Sequence, residues 1–117
     1  MSRPVAGSIV LVDWRLDARP NEPTKIRPAV IVEEDERFPD GYPNTLVVPL
    51  THDRSLAYPS FSERIHPSAE NGGKDTCWAL GHHVTSVSLA RVRPTPSRIT
   101  RAQLKSLRGR IALALGF

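Results

Sequence analysis

Ile26-Arg27-Pro28-Ala29-Val30-Ile31-Val32 and Leu46-Val47-Val48-Pro49-Leu50-Thr51 are the two stretches of sequence that decide the fold. Both are apolar, rich in β-branched residues and of strand length, so they predict two buried strands of one small sheet. Arg27 and Thr51 are the polar exceptions in these stretches. If they meet at one rim of the sheet, they offer a guanidinium and a hydroxyl to an anionic ligand.

Further strands are predicted on both sides of this pair. In chain order, the predicted strands cover residues 7–14, 26–32, 45–50, 61–66, 76–80 and 84–92. The second is nearly all apolar, which predicts burial on both of its faces. Residues 15–25 combine prolines with mixed charges and predict a long loop. Pro94 and Pro96 are expected to end the sheet region.

The last segment predicts the one clear helix. Thr100 and Gln103 have the spacing of a capping box, and leucine and isoleucine recur from Leu104 at helical intervals. Gly109 is expected to let this helix approach the sheet closely. The predicted fold is therefore mainly β, a small antiparallel β-barrel with a C-terminal α-helix, formed by residues 1–117 as a single domain.

Composition narrows the classes of partner. The chain has 117 residues with 16 Lys and Arg against 12 Asp and Glu, a net charge of +4 that favours anionic partners. Cys77 is the one cysteine in the sequence, which excludes an internal disulfide. The first residues lack a signal-peptide pattern, and no apolar run has membrane-spanning length, so a cytoplasmic location without membrane partners is expected.

The order and spacing of the motifs resemble one family, the MazF/PemK/Kid toxins of bacterial type II toxin–antitoxin modules. The resemblance covers nearly the whole chain. It lies in the 7–14 run, in Glu22 five residues before Arg27-Pro28-Ala29-Val30, in Val47-Val48-Pro49-Leu50-Thr51 and in the later 80–92 block. It implies the barrel of the CcdB/Kid/MazF toxins, which is similar to a Src-homology-3 barrel.

The function that this resemblance implies is a toxin that cuts single-stranded RNA without a ribosome, a metal or any other cofactor. Such an endoribonuclease leaves a 2′,3′-cyclic phosphate and a 5′-hydroxyl. The implied partners are single-stranded RNA, a second copy of the chain in a homodimer and a cognate antitoxin protein. Operator DNA would be bound only through that antitoxin.

Site residues follow from the same resemblance. In the family, the arginine of the Arg-Pro motif and the threonine after the Val-Pro strand belong to the site, and they match Arg27 and Thr51. Arg27 is assigned to charge stabilisation or proton donation, and Thr51 to holding a phosphate oxygen. The further RNA-binding candidates are Glu22, Lys25, His52, His82 and Thr85.

The late strand block departs from the family pattern. Many relatives carry Asp-Gln-Val-Arg-Thr-Val-Asp there, whereas this chain has His82-His83-Val84-Thr85-Ser86-Val87-Ser88. The arginine and both carboxylates are absent. His83 is therefore a third catalytic candidate, since imidazole is well matched to proton transfer near neutral pH.

Structural interpretations compete with these assignments. Arg27 could pair with Glu33 or Glu34 at a strand end, and Thr51 could simply end a strand. His82 and His83 could form a polar turn, and Trp14 and Trp78 could belong to the core. The histidines and the cysteine lack any recognised metal-ligand spacing.

A noncatalytic function is also open. The same fold could serve as a DNA-binding corepressor with its antitoxin, or as a gyrase poison like the CcdB proteins. Loss of the late arginine favours this alternative, whereas retention of Arg27, Thr51 and Glu22 favours RNA cleavage.

Overall fold

The computed structural model describes residues 3–14 and 26–117, and in these ranges the chain forms seven strands and one α-helix. The predicted loop at 15–25, with Glu22 and Lys25, lies outside the described residues. The elements are β1 (Ser8–Asp13), β2 (Ile26–Ile31), β3 (Asn44–Thr51), β4 (Ser62–Ile65), β5 (Cys77–Leu80), β6 (Thr85–Ser88), β7 (Val92–Arg98) and α1 (Arg101–Leu115). No helix in the described ranges is both long and apolar enough to cross a membrane.

The strands form one antiparallel sheet in the order β4-β5-β3-β2-β1-β7, and β6 also pairs with β3. One edge of β3 is shared, because β6 pairs with its residues 44–47 while β5 pairs with Leu50 and Thr51. The predicted class, antiparallel β with a C-terminal helix, is confirmed. The sheet of the predicted barrel is not closed, because β4 and β7 form no ladder with each other in the described part of the chain.

Two predictions about the late strands are wrong. Strand β7 contains Pro94 and Pro96, although prolines were expected to end the sheet. An edge strand tolerates proline because some of its N–H groups point away from the sheet and form no hydrogen bond with a neighbouring strand. The single strand predicted at 84–92 is interrupted by a 3-10 turn at Leu89–Arg91, where the Ser88 hydroxyl accepts a hydrogen bond from the N–H of Ala90. This turn carries the chain from β6, which pairs with β3, to β7, which pairs with β1.

Strands β1, β2 and β3 lie between two apolar clusters. Burial of β2 on both faces is confirmed, since Ala29, Val30 and Ile31 are fully buried. The first cluster packs against α1 and contains Ile9, Val30, Val32, Val48, Leu50, Ile65, Ala79, Ile99, Leu104 and Leu107. The second lies on the other face and contains Val10, Val12, Ala29, Ile31, Val47 and Val87, with Trp14 packed against it.

Helix α1 begins as predicted. The Thr100 hydroxyl accepts from the N–H of Gln103, and the Gln103 side chain accepts from the N–H of Thr100. The role predicted for Gly109 is wrong, because a Cβ there would meet nothing within 4 Å. The close approach occurs at Gly81 instead, where a Cβ would lie 2.5 Å from the carbonyl oxygen of Phe61 and 3.3 Å from Cγ1 of Ile111.

Candidate functional site

The pairing register of β2 and β3 brings Arg27 to Thr51. The ladder pairs Ala29 with Pro49 and Val30 with Val48, and Arg27 and Thr51 lie two residues beyond its last pair, where both line one cleft. The structure thus places the two polar exceptions of the apolar strands at one rim, as the sequence predicts.

A cleft of about 440 Å³ opens at this rim, and we refer to it as the Arg27 cleft. Three of the residues predicted for the site lie on it, namely Arg27, Thr51 and His52. The cleft is also lined by Ile9, Pro28, Leu50, Ile65, Asn71, Gly72, Gly73, Lys74, Asp75 and Cys77. A concave surface with an apolar floor and a few convergent polar groups is typical of ligand sites.

Arg27 is exposed, and within the described ranges its guanidinium makes no hydrogen bond or ion pair. The interpretation of Arg27 as a partner of Glu33 or Glu34 is wrong. Glu33 is bound by Arg3 at 2.9 Å, in an ion pair whose two side chains are almost completely buried. Glu34 lies 3.6 Å from Arg108. Arg27 therefore retains its capacity to bind an anion.

Thr51 is half-buried and its hydroxyl is oriented by the next turn. Its Oγ1 accepts a hydrogen bond from the N–H of Asp53 at 3.0 Å, which leaves the hydroxyl proton to donate. Asp53 in turn caps the 3-10 turn Arg54–Leu56. Hydrogen bonds from the hydroxyl and the N–H of Ser55 lower the pKa of its carboxyl group. The turn thus holds Thr51 as a hydrogen-bond donor at the rim.

His52 lies at the same rim, and one of its ring nitrogens contacts a backbone carbonyl. Its Nδ1 lies 3.2 Å from the carbonyl oxygen of Thr76. A carbonyl only accepts, so Nδ1 is the donor, and in the neutral form of the ring this contact selects the tautomer whose Nε2 carries the lone pair. The side chain is exposed, and Nε2 can therefore act as a base toward a bound ligand.

Lys74 lines the Arg27 cleft and is a candidate that could not be named from the sequence. The turn before it is held by Asn71, whose Oδ1 accepts from the N–H groups of Ser68 and Gly73 and whose Nδ2 donates to the carbonyl of His66. Gly72 has a φ of 65°, in the left-handed region that favours glycine. The Asn-Gly-Gly sequence predicts this turn, but it does not predict that the turn lies beside the ends of β2 and β3.

Thr85, His82 and His83 do not line the Arg27 cleft. Thr85 pairs with Val47, four residues before Thr51 and so about 13 Å away along β3. The ring of His82 lies 4.5 Å from that of His83 and 5.9 Å from that of Phe61. Desolvation, followed by the charge of His82, lowers the pKa of His83. Their roles in RNA binding and catalysis stay predictions.

Cys77 lines the cleft as a neutral thiol, because burial raises its pKa. A neutral thiol is a poor nucleophile at neutral pH. Among the residues that the structure describes, no three of His, Cys, Asp and Glu are grouped as a metal site requires. The chemistry available in the described cleft therefore comes from its guanidinium, ammonium, imidazole and hydroxyl groups and from the carboxylate of Asp75.

Comparison with known proteins adds a family and a fold. Residues 6–115 match the sequence model of the PemK-like, MazF-like toxins of type II toxin–antitoxin systems. A search of the curated proteins by sequence found no match.

Solved structures are similar over nearly the full chain, and each named here covers at least 95% of both chains. A MazF structure from Deinococcus radiodurans is 23% identical and covers 97% of each chain, with a TM-score of 0.72. An endoribonuclease from a mycobacterial species is 18% identical, with a TM-score of 0.75, and covers 100% of this chain and 95% of its own. A mycobacterial endoribonuclease in complex with its cognate antitoxin is also 18% identical, covering 98% and 97% with a TM-score of 0.74.

Proposed function

The chain belongs to the PemK-like, MazF-like toxins of type II toxin–antitoxin systems, and on that premise we propose that it is a metal-independent endoribonuclease that cuts single-stranded RNA. The observation that carries this proposal is the Arg27 cleft. A guanidinium without a described partner, a donating hydroxyl and a basic imidazole nitrogen converge there. These are the groups that RNA cleavage by its own 2′-hydroxyl requires.

The proposed reaction is an internal transesterification. The 2′-oxygen forms a bond to phosphorus while the bond from phosphorus to the 5′-oxygen breaks, which gives a 2′,3′-cyclic phosphate and a 5′-hydroxyl. Nε2 of His52 takes the proton of the 2′-hydroxyl, and the ammonium of Lys74 gives a proton to the departing 5′-oxygen. Protons therefore balance without a metal ion or a second reactant.

Arg27 and Thr51 bind the reacting phosphate in this scheme. Negative charge grows on the phosphate oxygens in the transition state, and a cation fixed at a strand end stabilises it without reorganisation. An arginine stays protonated in proteins, so charge stabilisation suits Arg27 better than proton donation. The Thr51 hydroxyl, oriented by Asp53, donates to one phosphate oxygen.

His52 replaces His83 as the proposed base. The sequence alone favoured His83 because it stands in the altered late strand block. His52 lines the same cleft as Arg27, whereas His83 lies in the turn between β5 and β6. A base must reach the proton that it removes, so position decides between two side chains of the same chemistry.

We further propose an antitoxin and a second copy of the chain as protein partners. The mycobacterial endoribonuclease of similar fold was solved with its cognate antitoxin, which supports the first. An acidic antitoxin segment would match the cations of the Arg27 cleft. Leu113, Leu115 and Phe117 are exposed at the end of α1 and offer apolar surface to a second copy.

Cleavage by Arg27→Ala tests the assignment. A fluorogenic single-stranded RNA is incubated in EDTA with the wild type, with Arg27→Ala and with Arg93→Ala, which changes an exposed arginine of β7 outside the cleft. We expect Arg27→Ala to lose about 10²–10³-fold in rate, as is usual for one preorganised donor. Arg93→Ala should cleave like the wild type, and all three should melt at similar temperatures.

The products give a second readout. The wild type should leave 2′,3′-cyclic phosphate ends and should not cut RNA whose 2′-hydroxyls are methylated, because the nucleophile is blocked. Cleavage by Arg27→Ala at the wild-type rate would remove Arg27 from the site. A wild type that cuts no RNA would favour the noncatalytic alternative, a corepressor or a gyrase poison.

A further inference from the structure

A buried pocket for a guanidinium lies at the start of β3, and we refer to it as the Arg3 pocket. It is formed by the carboxylate of Glu33, the carbonyl oxygens of Tyr42 and Asn44 and the rings of Phe38 and Tyr42. Thr45 donates its hydroxyl proton to Glu33 and stands six residues before Thr51, about 20 Å away along β3. The pocket is therefore separate from the Arg27 cleft.

Every nitrogen of the Arg3 guanidinium has a partner in this pocket. Nε and Nη2 donate to the Glu33 carboxylate at 2.9 to 3.1 Å. Nη1 donates to the carbonyl oxygen of Tyr42 at 2.7 Å, and Nη2 also donates to that of Asn44. The guanidinium lies 5.4 Å from the ring centre of Phe38 and 5.8 Å from that of Tyr42, within the range of cation–π contacts. A lysine has no such planar fork, so the pocket selects a guanidinium.

The walls of the pocket are held by contacts with one another. Oε1 of Glu33 accepts from the hydroxyl of Thr45 at 2.7 Å and from the N–H of Leu46 at 3.1 Å. The rings of Phe38 and Tyr42 stack with their centres 5.0 Å apart. These contacts persist whichever segment supplies the guanidinium. The pocket is therefore preorganised, which lowers the cost of binding.

The segment that carries Arg3 is attached mainly by that one side chain. Within the described residues, the backbone N–H groups of Arg3 and Val5 form no hydrogen bond, and Pro4 has no N–H to offer. Val5 is exposed. The next contact along the chain is the hydrogen bond from the N–H of Ala6 to Asp35 at 2.8 Å. Arg3 can therefore leave the pocket without the loss of any strand pairing.

The loop around the pocket attracts cationic segments, although the whole chain has a net charge of +4. Four exposed acidic residues of the loop stand against one exposed arginine, namely Glu34, Asp35, Glu36 and Asp40 against Arg37. Tyr42 and Leu46 add apolar surface beside the pocket, since 44% and 36% of these residues are exposed. Arginine and aromatic side chains are enriched in protein interfaces. The surroundings therefore fit a basic protein segment.

We propose that the Arg3 pocket binds the guanidinium of an arginine in a partner protein, and that Arg3 fills the pocket in the free chain as a ligand that the partner displaces. The exchange puts one arginine in place of another, so the buried Glu33 carboxylate is never left unpaired. Exchange between two copies of the chain would only restore the contacts that each copy already has. A different protein is therefore the partner that gains from this site.

Peptide binding to the full chain tests this inference. The probe is a fluorescent peptide Ser-Arg-Pro-Val-Ala, which repeats residues 2–6, and the control peptide has lysine in place of arginine. Both are titrated by anisotropy into the wild type, Arg3→Ala, Arg3→Lys and Arg93→Lys, which changes an exposed arginine of β7. Arg3→Lys keeps a cation beside Glu33, so it preserves the fold if Arg3→Ala does not. Melting curves show which variants are folded.

We expect Arg3→Ala and Arg3→Lys to bind the arginine peptide and to melt at a higher temperature in its presence, because their pocket is open to a guanidinium. The wild type and Arg93→Lys should bind it about tenfold or more weakly, since Arg3 competes from the same chain at an effective concentration in the millimolar range. The lysine peptide should bind weakly to all four proteins.

Several results would overturn the inference. Equal affinity of the wild type and the folded Arg3 variants for the arginine peptide would show that the peptide binds elsewhere. Equal affinity for the two peptides would show only attraction to the acidic loop. No binding by a folded Arg3→Lys would leave Arg3 and Glu33 as a structural ion pair. A dimer of the wild type that Arg3→Lys fails to form would make a second copy the occupant of the pocket.

Discussion

The Arg27 cleft and the turn at residues 81–83 both carry histidine, but they differ in how closely their side chains are packed against other residues. In the cleft, Arg27, Thr51 and His52 stand at strand ends and retain free hydrogen-bonding capacity toward a ligand. In the turn, Gly81 packs against α1 and His82 lies among aromatic rings. A side chain suited to catalysis can act on a ligand only where packing leaves its polar atoms free to bind that ligand.

The largest expected effect comes from replacing a histidine in each of these two regions by glutamine and comparing the two rates of RNA cleavage. His52→Gln should lower the rate of RNA cleavage by about 10²–10⁴-fold, the usual contribution of a general base. His83→Gln should change the rate little, because its ring lies outside the Arg27 cleft. Single-turnover cleavage of the fluorogenic RNA by both variants measures this. A large loss in His83→Gln with little loss in His52→Gln would reverse the comparison.

Packing of the turn gives the next effect. Gly81→Ala should destabilise the protein by about 1–3 kcal/mol, because its Cβ would overlap the carbonyl oxygen of Phe61. The same substitution at Gly109 meets open space and should stabilise the helix by about 0.5–1 kcal/mol. Urea unfolding of both variants measures the two changes. Equal stabilities would mean that the turn does not pack closely against α1.

The smallest effect is a dependence of stability on pH. The folded protein lowers the pKa of His83 through desolvation and the charge of His82, whereas the unfolded chain titrates near 6.5. As the pH falls through about 6.5, the unfolded state takes up more protons, so stability is lost. His83→Gln should flatten this decline between pH 7 and pH 5 in urea unfolding. Parallel curves for the two proteins would show that His83 is not desolvated in the fold.

Much of the fold could be predicted because local patterns determine it. The apolar runs define β2 and β3, and the Thr100–Gln103 spacing defines the start of α1. The path from β6 to β7 could not be predicted, since Pro94 and Pro96 are acceptable only on an edge strand and the sequence does not state which strand lies at an edge. The same limit applies to Gly81 and Gly109, whose roles depend on tertiary neighbours.

The candidate site was predicted in part for the same reason. Arg27 and Thr51 could be placed together because both interrupt apolar strands that pair with each other. His52 follows Thr51 directly in the sequence and was predicted as an RNA-binding residue beside it. Lys74 could not be found, because its turn is placed by the hydrogen bond from the N–H of Arg98 to the carbonyl of Glu70 and by Asn71. Such contacts join residues that are distant in sequence.

The open sheet has a consequence for the protein at high concentration. Strands at sheet edges can pair with other molecules and cause aggregation, and this sheet has edges at β4, β6 and β7. On β7, Pro94 and Pro96 lack the N–H groups that an incoming strand would need. β4 has four residues, and Glu63 within it is bound by Arg110 and Ser106 of α1. Pro94 and Pro96 made the end of the sheet hard to predict from the sequence. At the β7 edge they also hinder the sheet of one molecule from pairing with the sheet of another.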